Sequence, residues 1–159
     1  MNIVKKIFNG IESFLEHVCM FTLVVMVVLI FVQVFCRYIL KFTPRWSEET
    51  AVILMIWVAF IGMALGVKRG IHLTITFFVE LFPKLLKKII LIADELCVMV
   101  FGIVIIIYGI DLVYNTMDST LAATQLPSSV IYAVLPVAGV LIVIYTFARA
   151  INLILNKNN

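Results

Sequence analysis

Arg37 and the adjacent carboxylates Glu48 and Glu49 stand about ten residues apart, between two apolar runs long enough to cross a membrane. An arginine that closes one helix and a carboxylate pair that opens the next can meet across a short antiparallel hairpin. At a bilayer surface such an ionic latch would hold two membrane helices in register, which is structural rather than catalytic chemistry. The helix dipole also favours carboxylates in a first turn, by roughly 0.3 to 1 kcal/mol. Glu48 and Glu49 therefore require no reaction to account for them.

Asp94 and Glu95 lie about one and a half turns into a later apolar run, and Asp111 lies near its far end. Carboxylates inside a membrane raise a functional reading by default, here proton or ion handling. The simpler reading is that Lys68, Arg69, Lys87 and Lys88 lie at the same surface and pair with or screen them. Other chemistries find no residues. His17 and His72 both fall near one edge, where they could not ligate a haem inside a bundle. Cys19, Cys36 and Cys97 are odd in number, embedded in apolar runs and without a Cys-x-x-Cys pair, so they read as small buried hydrophobes. Neither a phosphate-binding glycine loop nor a metal-ligand spacing occurs. An enzyme and a resident cofactor or metal are not expected.

The elements that carry these residues follow from composition. Hydrophobic residues make up 64% and charged residues 13% of the chain, against roughly half and a quarter in soluble domains. A bilayer removes the need to cover that much apolar surface, so the expected class is an all-α integral membrane protein. The net charge of +3 comes without a basic run interleaved with aromatics, and no nucleic-acid partner is expected.

Residues 1–17 place Ile3, Ile7, Ile11 and Phe14 on one helical stripe, which suits a helix entering through the membrane interface and continuing into the first span. Lys5 and Lys6 precede apolar residues as in a signal peptide, but Glu12, Glu16 and His17 interrupt them, so a retained helix is predicted. The first span is 18–36, with Gln33 its one strongly polar member. Thr43-Pro44 is a helix-start signal for a second span over 46–67. On that helix Glu48, Val52, Met55, Ala59, Gly62 and Gly66 share a face, and the Gly62 to Gly66 step allows another helix to pack closely. Trp57 lies about 16 Å deeper than Trp46, too deep for an interfacial belt, and its N–H should face protein and find an acceptor.

Residues 72–88 alternate Phe77, Phe78, Leu81, Phe82 and Leu85 with Glu80, Lys84, Lys87 and Lys88, which predicts an amphipathic segment lying along the surface. A third span covers 89–113, where Gly102 and Gly109 allow close packing. The polar loop that follows ends at Pro127, and a fourth span runs over 128–155, bent near Tyr132 because Pro136 removes a backbone hydrogen bond. The whole is one membrane domain of four transmembrane helices. Placing both termini in the cytoplasm puts nine of the twelve Lys and Arg inside and leaves Arg37, Lys41 and Arg45 outside, next to Glu48 and Glu49. A self-sufficient transporter usually carries an internal repeat or midplane charges. Neither is present, and the chain reads as one built to pack against something else in the lipid.

Arg37-Tyr38, Trp46-Ser47-Glu48-Glu49, Trp57, Phe60 with Gly62 and Gly66, His72, and later Leu126-Pro127, Tyr132 and Pro136 resemble the small membrane subunit of tripartite ATP-independent periplasmic (TRAP) transporters, the DctQ family. The resemblance covers nearly the whole chain. It implies a multi-pass protein of the bacterial inner membrane that partners a much larger membrane subunit and a periplasmic solute-binding protein. Together such systems import organic acids, such as C4-dicarboxylates or sialic acids, on a gradient of sodium or another ion. The resemblance places the substrate and sodium sites in the large subunit and makes the small one a fixed scaffold. On matching positions it makes Arg37, Trp46, Glu48, Glu49, Trp57, Gly62, Gly66, Pro127, Tyr132 and Pro136 assembly residues, with Arg37 paired to Glu48 or Glu49. Two other readings stay open: a structural subunit of another membrane complex, and a small autonomous exporter using Asp94 or Glu95.

Overall fold

The computed structural model describes residues 2–69 and 84–155. Five helices account for most of them: α1 (Asn2–Ile39), α2 (Arg45–Arg69), α3 (Lys84–Asn115), α4 (Ser129–Tyr132) and α5 (Val134–Leu155). The expected helix at the interface and the first span are one continuous element, α1. Residues 72–83 of the expected surface segment lie outside the described residues, and from Lys84 onward the chain already belongs to α3.

Among the described residues four stretches are long and apolar enough to cross a membrane: Gly10–Ile39, Arg45–Arg69, Ile89–Asn115 and Ser129–Ile151. The shortest has 23 residues, which at 1.5 Å per residue exceeds the roughly 30 Å of bilayer hydrocarbon. The last is not one regular helix. Pro136 has no N–H for the carbonyl of Tyr132, and the backbone breaks at Ala133, leaving the single turn α4 ahead of α5. The bend predicted at Tyr132 is this break.

The spans do not close into a bundle. α1 packs on α2, α2 on α5 and α5 on α3, which gives a row in the order α1, α2, α5, α3. The α3–α5 contact is the most extensive, and glycine makes it possible. A Cβ on Gly139 would lie 2.7 Å from Ile106 Cγ1 and 2.9 Å from the backbone oxygen of Gly102, closer than any side chain allows. Gly109 is equally tight against Leu135 and Pro136. In lipid, packing of this kind replaces the hydrophobic drive that assembles helices in water.

The centre of the row is where burial concentrates. Ala64 and Val67 of α2 meet Ile142 and Tyr145 of α5, while Ile61 and Leu65 meet Val134, with Leu15 and Cys19 of α1 against them. The edge helix α1 has none of its most apolar window buried. A row exposes two broad faces where a bundle exposes one outer surface, so much of this chain's surface is free to meet lipid or another protein.

Candidate docking surface and the latches that hold it

Glu49, in the opening turns of α2, reaches the loop between α3 and α4. Its carboxylate accepts the backbone N–H of Ala123 at 2.9 Å, that of Thr124 at 2.8 Å and the Thr124 hydroxyl at 2.9 Å. The loop is shaped to offer these donors. Leu121 N–H bonds the Leu126 carbonyl at 2.8 Å, Ser128 N–H bonds Ser119 at 2.8 Å, and Gln125 takes a left-handed φ of 56°. Thr120 and Pro127 close its base as a single antiparallel bridge. An ionised acceptor holding several donors is a strong, directional tie.

Two turns deeper, the Trp57 indole donates to the Val130 carbonyl at 3.0 Å. α4 is a single turn, too short for all its carbonyls to find partners within it. Trp57 and Glu49 thus fasten α2 to the same connection at two depths, and Trp57 faces protein. Tyr132 ends α4, half-buried, and Pro136 packs against Gly109.

The pairing expected of Arg37 does not form. Glu48 accepts the Gln33 amide of α1 at 3.2 Å, Glu49 is engaged by the loop, and Arg37 is exposed with no ion pair among the described residues. In the antiparallel α1–α2 pair it is Gln33, one turn before Arg37, that lies level with Glu48. Gln33 was visible as the lone strongly polar residue of its span, and that was the signal for this bond. At the start of α2 the Ser47 hydroxyl returns to the Pro44 carbonyl at 2.7 Å, and Trp46 is exposed.

The opposite end carries a second set of ties. Lys68 pairs with Glu12 and Arg69 with Glu16, which joins α2 to α1. Arg149 of α5 forms an ion pair with Glu95 of α3 at 3.1 Å and donates a hydrogen bond to the Val67 carbonyl of α2 at 2.8 Å. Of the cations expected near Glu95, Lys68 is held by Glu12 and Arg69 by Glu16, and the partner of Glu95 is instead Arg149 of α5. Glu95 is only 4% exposed, which leaves it poorly placed for an exchange site open to solute. Among the described residues no group of three His, Cys, Asp or Glu is placed to hold a metal ion.

With these residues accounted for, one face of α2 remains. Glu48, Val52, Met55, Ala59 and Gly62 are all exposed, and Gly66 is half-buried. A Cβ built on Gly62 or Gly66 would meet nothing within 4 Å, in contrast to Gly102, Gly109 and Gly139. The close helix approach expected at Gly62 and Gly66 is not made by any described helix of this chain. The site is a lateral surface, with carboxylates engaged in internal bonds and an uncovered small-residue stripe.

The described residues thus form an all-helical protein with four stretches able to span a membrane, tied at both ends and open along one face of α2. The sequence matches the family described as "Tripartite ATP-independent periplasmic transporters, DctQ component" over residues 26–156, and the chain belongs to that family. It is 28% identical over 153 residues to the sialic acid TRAP transporter small permease protein SiaQ of Vibrio cholerae, covering 96% of this chain and 87% of the relative. It is 27% identical over 96 residues to the C4-dicarboxylate TRAP transporter small permease protein DctQ of the same organism, covering 60% of this chain and 41% of the relative. A third relative is the sialic acid TRAP transporter permease protein SiaT of Haemophilus influenzae. There the identity is 27% over 118 residues, 74% of this chain but 19% of the much longer relative. The chain is the small permease subunit of a TRAP transporter, a multi-pass inner-membrane protein whose family works with a large permease subunit.

Proposed function

We propose that this chain is the fixed scaffold of an importer for an organic acid of the sialic acid or C4-dicarboxylate class. It would act beside a large permease that binds solute and coupling ion, sodium being the expected ion, and with a periplasmic solute-binding protein. Both termini face the cytoplasm in this reading, as the distribution of Lys and Arg favours. The solute classes are those in the names of the relatives SiaQ and DctQ.

The observation that carries the scaffold role is the uncovered α2 stripe. Gly62 and Gly66 admit a helix backbone to close range, and the latches at Glu49, Trp57 and Arg149 keep α2 in place while it is gripped. The large permease is the partner assigned to that stripe. Proteoliposomes test the division of labour. Uptake of sialic acid or of a C4-dicarboxylate should require the large permease, the binding protein, a sodium gradient and this chain together. Uptake by this chain alone would refute it.

A further inference from the structure

The hairpin between α1 and α2 carries Arg37, Lys41 and Arg45, four residues apart in each step, and all three are exposed. None of their side chains has a hydrogen bond or ion pair to another described residue, while Glu48 accepts from Gln33 and Glu49 from the loop. The backbone turns tightly here. Lys41 takes a left-handed φ of 51°, and the Phe42 N–H returns to the Cys36 carbonyl at 3.3 Å. Three uncompensated cations are thus gathered within one short connection.

Their surroundings are apolar. Tyr38 is 78% exposed, Phe42 65% and Trp46 53%, and Ile39 and Leu40 are exposed beside them. Aromatic rings with a polar edge settle at the level of lipid headgroups, and long basic side chains reach from apolar surroundings to phosphate. A hairpin standing free in water to receive a soluble acidic protein would leave these rings and aliphatic chains wet. We propose that this hairpin binds anionic phospholipid, with Arg37, Lys41 and Arg45 on the lipid phosphates and Tyr38, Phe42 and Trp46 at the headgroup boundary. The lipid phosphates supply the direct ionic partners that Glu48 and Glu49 do not. The site would anchor the α1–α2 end of the row at a fixed depth, whichever leaflet that end occupies.

Trp46 lies inside the hairpin, so its fluorescence reports the lipid next to it. The full chain carrying Trp57→Phe, with Trp46 as its one tryptophan, is reconstituted in phosphatidylcholine bilayers containing either brominated phosphatidylglycerol or brominated phosphatidylcholine. Each basic residue near an anionic lipid surface is worth roughly a fivefold change in binding, so quenching should report a preference for phosphatidylglycerol of about fivefold or more. The preference should vanish in R37Q/K41Q/R45Q and weaken with each single substitution. If Trp57→Phe impairs folding, the same comparison is run with Trp57 retained, as its emission is common to both lipids. Equal quenching by the two lipids, or a preference that survives the triple substitution, overturns the proposal. Loss of binding-protein capture in the triple variant with its lipid preference intact overturns it too, and would assign the cations to a protein partner.

Discussion

Arg149 is ion-paired with Glu95 at 3.1 Å across the α3–α5 contact, and its other terminal nitrogen holds the last turns of α2 through a hydrogen bond to the Val67 carbonyl at 2.8 Å. One side chain thereby joins three of the four spans. Removing one member of a buried ion pair leaves the other uncompensated, at a cost of about 3 to 5 kcal/mol, whereas replacing both by apolar residues is often close to neutral. Arg149→Met should therefore lower the unfolding temperature in detergent markedly, and Glu95→Met/Arg149→Met should recover most of that loss. A double variant as unstable as the single one would show that the pair is not the source of the effect.

Trp57→Phe keeps an aromatic ring but removes the donor to Val130. A single neutral hydrogen bond contributes about 1 kcal/mol net, so the variant should be slightly destabilised. Trp57→Ala should cost about 3 to 5 kcal/mol, because a large side chain also leaves the packing between α1, α2 and α5. Denaturant titrations of the two variants check the ratio.

Glu49→Gln should release the loop rather than unfold the chain. The amides of Ala123 and Thr124 bond the carboxylate directly, and their hydrogen exchange should accelerate roughly tenfold or more if the tie is what protects them. Exchange at Ile106 or Ile142, in the α3–α5 contact, should stay as it was. Uniform acceleration along the chain would count against a local latch.

Glycine substitutions separate the two kinds of small residue. Gly139→Ala drives a methyl into Ile106 and the Gly102 carbonyl, and overpacking of this kind typically costs about 1 to 3 kcal/mol. Gly62→Ala meets open space, and alanine is the better helix former by roughly 1 kcal/mol. Thermal unfolding of the isolated chain should fall for the first and hold or rise for the second.

Element types were plain in the sequence, since four long apolar stretches admit little besides spanning helices, and Pro136 announced the break at Ala133. Trp57 was legible for a similar reason: a deep indole N–H needs an acceptor, although nothing local named Val130. Pairing across the row was less legible. Arg37 and Glu48 look matched when only charge and separation are weighed, yet helix register sets Gln33 level with Glu48. Glu95 likewise looks matched to the lysines near it until α5 brings Arg149 to it. Charge can be read locally, but the order α1, α2, α5, α3 depends on small residues meeting over long separations, and Gly102, Gly109 and Gly139 act only once paired. Gly62 and Gly66 carry the same local signal without a partner among the described residues, a difference that appears only in three dimensions.

The central claim is that the open α2 stripe receives the large permease. Gly62→Leu/Gly66→Leu fills the stripe with side chains whose Cβ atoms meet no described residue within 4 Å, and co-purification of that variant with the large permease tests the claim most directly. The account predicts an isolated subunit that unfolds at the same temperature as the parent but recovers at most about a tenth of the large permease, the loss expected for roughly 1.4 kcal/mol of binding. Full recovery of the large permease by a normally folded variant would contradict it.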